Sequence, residues 1–347
     1  MKKILNDPFN FVDETMEGIL AAHGDMLKAA KGNPRAVVRK DCPCIGKVAI
    51  ATGGGSGHLP VFLGYVGKGM AHGCSVGNVF SSPTSKQMKE VTRAIDGGKG
   101  VLYIYGRYQG DMMNFDMSAE DCIDDGIPVE TVMVTDDVAS APPEDWQKRR
   151  GVAGLFFAYK IAGAKAETGA SLAEVKAVTE KTVQNLRSMG VALSACTVPT
   201  AGKPTFEVPE DQMEIGMGIH GEAGIKRCKM ESAHNIAKTL VQYIVEDLPY
   251  KSGDEVAVLV NSLGGTPLEE LYILYSEVQK LLDQYNIRIY KPYIGRYACS
   301  MEMHGASLSL LRLDAELKEL LDAPAETPFF IQIGNCETSS QSRLKLR

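Results

Sequence analysis

No apolar run in the 347 residues is long enough to span a bilayer, and no block of Lys or Arg supplies the footprint of a nucleic-acid partner. Lys2 and Lys3 open the chain without an apolar core behind them, so no signal peptide is expected and the chain reads as cytoplasmic. Metal chemistry is poorly provided for as well. The eight cysteines are scattered. Their one close pair, Cys42-Pro43-Cys44, has a spacing that fits neither a zinc ribbon nor a redox Cys-x-x-Cys motif, and no His-Glu-x-x-His follows. Free buried thiols are expected and no metal site is assigned. Internal repeats and low-complexity segments are missing too.

What remains is a globular composition, 44% hydrophobic and 23% charged with a net charge of −6. The length suits two domains of roughly 150–200 residues. Residues 11–23 have helical apolar spacing at Val12, Met16, Ile19 and Leu20. Apolar strands are expected at 47–51, 100–105 and 129–134, each emptying into a polar or glycine-rich loop. Ser82 and Pro83 read as the cap and first position of a helix that ends at Gly97-Gly98. Two helices are expected at 152–167 and 171–189. Strand, loop and helix in repetition make an α/β fold, the first domain carrying a largely parallel or mixed sheet flanked by helices. The division is placed at 1–190 and 191–347. The second α/β domain has an extended segment at 214–224, helices at 229–246 and 268–284, strands at 255–260, 287–291 and 306–312, and a helix at 314–321. The polar end from Glu337 to Arg347 is expected to fray.

Glycines after a strand suggest nucleotides, and both nucleotide readings fail. After Gly53-Gly54-Gly55-Ser56-Gly57 stands His58 where a P-loop needs lysine, and Pro60 stands where a dinucleotide fingerprint needs glycine. The stretch reads either as a wall approached closely by a small ligand, with a titratable group at its end, or as a tight structural turn. His220, flanked by Gly218 and Gly221, is either a nucleophile held unprotonated or a satisfied core histidine. Asp111, after the strand at 100–105, is either a general base or a helix N-cap.

Seven motifs in order resolve these alternatives. They are Gly53-Gly-Gly-Ser-Gly-His58, Gly64-Tyr-Val-Gly-Lys-Gly-Met70, Val79-Phe-Ser-Ser-Pro-Thr84, Gly110-Asp-Met-Met-Asn-Phe115, Arg149-Arg-Gly-Val-Ala-Gly154, Gly218-Ile-His-Gly-Glu222 and Leu263-Gly-Gly-Thr-Pro267. Together they resemble the dihydroxyacetone-binding subunit of dihydroxyacetone kinases, over residues 8 to 328. The resemblance implies that His220 holds a short ketose covalently as a hemiaminal, and that His58 and Asp111 are the acid/base pair. Gly53, Gly54, Gly55, Ser56, Gly57, Ser82, Gly106 and Arg107 would then line the substrate. It also implies a homodimer with no cofactor of its own, and a partner kinase subunit carrying ADP or ATP with magnesium. The chain departs from the family's pattern at Leu59, where Glu is usual, at Asn78, where an acid is common, and at Gly106, where Lys is usual. These changes suggest a pocket retuned for another ketose. They also keep open a non-catalytic paralogue, a ketose sensor or co-activator of a transcription regulator.

Overall fold

Six strands and three helices form the first sheet and its cover. The computed structural model describes residues 2–204 and 206–334. α1 (Phe11–Ala22) buries Val12, Met16 and Ile19 along one face. β1 (Leu27–Ala30), β2 (Asn33–Arg39), β3 (Ala49–Ser56), β4 (Gly73–Val79), α2 (Ser85–Ile95), β5 (Val101–Gly106), α3 (Gln109–Asp124) and β6 (Val129–Val134) follow. The strand order is β1-β2-β4-β3-β5-β6. β4, β3, β5 and β6 run parallel, and β1 and β2 are antiparallel additions at one edge. This is the mixed, largely parallel sheet expected. Alternate residues of β5 serve opposite faces: Val101, Tyr103 and Tyr105 meet α2 and α3, while Leu102 and Ile104 enter the larger core on the other side.

α4 (Leu155–Glu167) buries eleven of its thirteen residues, so it has no solvent face and must lie between two layers. α5 (Leu172–Gln184) starts with a capping box of Ser171 and Glu174. The chain then enters β7 (Leu186–Ala192), β8 (Gln212–Ile215), β9 (Lys226–Lys229), α6 (Ala233–Asp247), β10 (Glu255–Ser262), α7 (Leu268–Gln284), β11 (Arg288–Gly295), β12 (Gly305–Leu313) and α8 (Ala315–Asp322). A short ribbon, β13 (Ala325–Thr327) with β14 (Phe330–Gln332), closes the described chain. The second sheet has the order β11-β10-β12-β7-β8-β9 and is antiparallel except for β10 with β11. Val256, Val258 and Val260 pack with α6 and α7, while Ala257 and Leu259 face the core shared with α4 and α8. The layers therefore run helix, sheet, helix, sheet, helix. The division expected at residue 190 falls inside β7.

Three local expectations are corrected. Gly53, Gly54 and Gly55 are not a loop: they continue β3, paired with Ser75, Val76 and Gly77 of β4. A Cβ on Gly53 would stand 2.2 Å from Ser75 Oγ, and one on Gly54 2.3 Å from the Phe62 ring, so neighbouring groups occupy the side-chain space. Ser82 caps no helix; Thr84 does, in a box with Gln87, because its hydroxyl faces the first free N–H groups of α2. Residues 186–189 are strand rather than the end of a helix, drawn into the ladder with β12. The end from Glu337 to Arg347 lies outside the described residues.

Candidate functional site

From β3 the chain moves to β4 on one side, and from β5 to β6 on the other. Loops leaving in opposite directions open a crevice at the carboxyl ends of β3 and β5, the usual place for a ligand in such a sheet. His58 follows β3 and Asp111 lies in the first turn of α3, just after β5. His220 arrives from the second sheet, on the turn between β8 and β9.

His58 is 1% exposed. Its Nδ1 lies 2.7 Å from the Cys299 carbonyl, an acceptor only, so Nδ1 carries the hydrogen and Nε2 keeps its lone pair. Among the described residues no group bonds that Nε2. Burial, and next the neighbouring His220, hold the pKa down at about 3, so the ring is neutral across the physiological range. The segment that supplies the carbonyl is itself tied to the glycine turn, through Met301 N–H to Gly57 O at 2.8 Å.

The His220 ring stands 4.8 Å from that of His58, edge-on, with Tyr108 at 4.8 Å and Phe80 at 5.5 Å. Its Nδ1 lies 2.8 Å from Glu222 Oε1. A carboxylate accepts only, so Nδ1–H donates, and in the neutral ring the lone pair lies on Nε2, where it can act as a nucleophile. Burial alone would raise the Glu222 carboxyl; the His220 N–H and the Arg150 guanidinium outweigh it and draw the pKa down to about 2. The second oxygen of Glu222 accepts the His220 backbone N–H, so one carboxylate fixes both ring and main chain.

Asp111 is buried, and Ser82 Oγ donates to its Oδ1 at 2.6 Å. Burial raises its pKa to about 6, against the opposing pull of the Ser82 hydroxyl and of His220. That is where a general base working near neutrality should lie. Asp111 is not the N-cap of α3; Tyr108 holds that place without a side-chain bond.

The structure thus brings His58, His220, Asp111 and Ser82 to one crevice. Gly57, at φ +99°, turns the chain toward His58 with its Cα against the Phe80 ring. Gly55 passes so close to Phe80 and Ser81 that a Cβ would meet the Ser81 nitrogen at 2.6 Å. Gly53 and Gly54 lie inside the ladder, and Ser56 Oγ donates to the Gly77 carbonyl at 2.9 Å. Gly106 ends β5 against Gly151 and the Tyr108 ring, and Arg107 donates to the Lys148 carbonyl at 2.9 Å. Sequence reasoning missed Glu222, Tyr108, Phe80 and Arg150 as site groups. The His-x-Glu spacing was a usable signal for Glu222; nothing in the sequence joins His58 to Cys299, 241 residues away. Asp41, Cys42 and Cys44 converge within 4.8 Å at the opposite, amino end of β3, where the Arg39 guanidinium forks onto Asp41.

Residues 17–329 match the model of the Dak1 domain. The chain belongs to the Dak1 domain family. It is 47% identical over 330 residues to a PTS-dependent dihydroxyacetone kinase 2, dihydroxyacetone-binding subunit, of Listeria innocua, covering 95% of this chain and 99% of that one. It is 43% identical over 334 residues to an L-erythrulose kinase of Pectobacterium atrosepticum, covering 95% of this chain but 56% of that one. A solved structure of a dihydroxyacetone kinase operon co-activator superposes with a TM-score of 0.86 at 30% identity, over 92% of this chain and 98% of that one. Relatives of this Dak1 chain are therefore kinases, kinase subunits and a co-activator. Among the described residues no helix is long and apolar enough to cross a membrane.

Proposed function

We propose that this chain is the ketose-holding subunit of a multi-component kinase, taking dihydroxyacetone or a four-carbon relative such as erythrulose. The observation that carries the reading is His220: Nδ1 tied to Glu222, Nε2 free, and the ring held edge-on beside neutral His58. Nε2 attacks the ketone carbon and forms the C–N bond of a hemiaminal. The carbonyl π pair moves to oxygen, which takes a proton from solvent, while the cationic ring gives up its Nδ1 proton through Glu222 to solvent, so that the proton count is unchanged. Tethered this way, the substrate presents its terminal hydroxyl to His58 and Asp111, and one of the pair takes its proton as the oxygen attacks phosphorus and the nucleoside diphosphate of the partner subunit leaves. Fixing the acceptor supplies much of what phosphoryl transfer needs, since that chemistry depends chiefly on positioning.

ATP or ADP with magnesium is assigned to a separate nucleotide-carrying subunit. The Listeria innocua relative supports this, since it is the dihydroxyacetone-binding subunit of its kinase and is matched over 99% of its length. A homodimer and a place in glycerol metabolism belong to the same reading. Gly106 offers no side chain to the substrate, and Gly151 and the Tyr108 ring fill the space a Cβ there would take.

The test is intact-protein mass after incubation with dihydroxyacetone and with erythrulose, without reducing agent. Wild type should gain the mass of one ketose and His220→Ala none; an unchanged wild-type mass with both sugars would overturn the reading. The co-activator likeness favours a second reading, a sensor that forms the adduct but transfers no phosphate. Adduct without turnover, in the presence of a nucleotide-carrying subunit and ATP or phosphoenolpyruvate relay proteins, would select it.

A further inference from the structure

The His220–Glu222 pair has a third member on the other half of the molecule. Arg150 precedes α4, and its main chain is fixed from both sides: its N–H donates to Ser140 Oγ at 3.0 Å, and its carbonyl accepts from Asp137 N–H at 3.1 Å. Its Nε and Nη2 both reach Asp137 Oδ2, at 2.9 and 2.8 Å, and Nη2 also donates to the Gly216 carbonyl at 3.3 Å. That leaves Nη1, which points to Glu222 Oε2 at 3.8 Å. Gly218 passes against both partners: a Cβ there would lie 2.1 Å from Glu222 Oε2 and 2.5 Å from Arg150 Nη1. The bare Cα is what lets guanidinium and carboxylate face each other.

We propose that Arg150 is a positioning residue for His220, a fixed cation that holds Glu222 in place and offsets its charge so that the imidazole keeps a free lone pair. The role of Arg150 takes its purpose from the function proposed above, whereas the charge arrangement stands by itself. A carboxylate bonded to Nδ1–H orients the ring but also favours the imidazolium, which has no lone pair at Nε2 and cannot attack a carbonyl. A guanidinium on the far side of that carboxylate weakens the second effect while preserving the first. The other groups facing His220 are His58 from the turn after β3, Tyr108 from the turn after β5, Asp111 from α3, and the apolar ring of Phe80. His58 is neutral, so Arg150 is the cation set against Glu222 and Asp111 on this side of the ring. Arginine suits the place because its planar fork engages Asp137 and Gly216 and still presents a third nitrogen.

The experiment is an NMR titration of the His220 ring in the ligand-free full chain, assigned with His220→Gln, at low ionic strength. In Arg150→Met the His220 curve should move to higher pH, because the carboxylate that favours the imidazolium loses the cation behind it. Arg150→Lys should restore the wild-type position only in part, because the charge returns but one ammonium cannot engage Asp137 and still face Glu222. The acid limb of ketose adduct formation should move with the titration in both variants. Should Arg150→Met not fold, Arg150→Gln removes the charge while keeping an N–H donor for Asp137, and the same displacement is expected. A folded neutral variant whose His220 curve superposes on wild type overturns the proposal. Wild type that forms no adduct would overturn the kinase reading, yet the ligand-free titration would still decide the role of Arg150.

Discussion

Asp111 carries a cost that its chemistry explains. Its carboxyl is buried with one hydrogen-bond donor, Ser82, and its pKa of about 6 lies above the ordinary carboxylate value of about 3.9. Between those two values the folded chain holds a proton that the unfolded chain has released, so stability falls as pH rises from about 4 to about 6. Asp111→Asn removes the penalty and keeps an oxygen for Ser82 to bond. At pH 7.5 the variant should be more stable than wild type by roughly 1–3 kcal/mol, with the gain shrinking toward pH 5. Its phosphotransfer rate should fall by about 10²–10⁴-fold while the His220 adduct still forms. Urea unfolding at the two pH values and a turnover assay check both halves. A variant that is less stable at both, with turnover intact, would make Asp111 a structural group. His58 runs the opposite way. Its pKa is held near 3, so protons bind the unfolded chain first and stability declines as pH falls from about 6.5.

At the level of elements, β3 decides how closely the walls of the crevice approach. A Cβ on Gly55 would meet the backbone of Phe80 at 2.9 Å and the Ser81 nitrogen at 2.6 Å, and Phe80 packs against both His58 and His220. Gly55→Ala should therefore cost about 1–3 kcal/mol in stability, the range for overpacking, and weaken the ketose adduct as well. Denaturant midpoints and adduct mass measure the two; a wild-type value for both would mean that the Phe80 turn yields freely. The same strand marks the limit of what could be read beforehand. Val48 to Ala51 and Val101 to Tyr105 announced buried strands as continuous apolar runs, and the apolar spacing of α1 and α6 announced those helices, since burial on one face leaves a period in the sequence. Gly53 to Gly55 carry no side chains and hence no period; only the ladder with β4 makes them strand. β4 itself, with two glycines and an asparagine in seven residues, gave no signal either. For the site, His58, Asp111 and His220 stood out by their glycine surroundings. Arg150 and the Cys299 carbonyl act through contacts between distant segments that no local pattern records.

The whole molecule enters because His220 stands on one sheet and His58 and Asp111 on the other, so the crevice depends on how the two are held together. Arg149, beside Arg150, is fully buried and reaches across to the end of α6, where its Nη1 bonds Asp247 Oδ1 at 2.8 Å. Arg187 of β7 reaches the same carboxylate through its Nε. Burial would raise the Asp247 carboxyl, but the bonds from Arg149 and Arg187 outweigh it and lower the pKa. Two buried guanidiniums thus share one anion, and that anion belongs to the half that presents His220. Removing it leaves their charge without a partner in a place where water cannot replace it, a loss of about 3–5 kcal/mol for a broken buried pair. Asp247→Ala should lower the unfolding free energy by that amount at pH 7. Because the folded carboxyl titrates below its unfolded value, the contribution is present above about pH 4 and lost as pH falls through the lowered pKa, so the two proteins should converge in acid. The folded fraction of Asp247→Ala should also bind ketose less tightly, since Arg149 fixes the start of the segment from which Arg150 meets Glu222. Unfolding curves at pH 7 and pH 3, with adduct mass at pH 7, test the chain of cause. A wild-type unfolding midpoint would show that the halves are held elsewhere. A destabilised variant with undiminished adduct would show that the clasp and the site are independent.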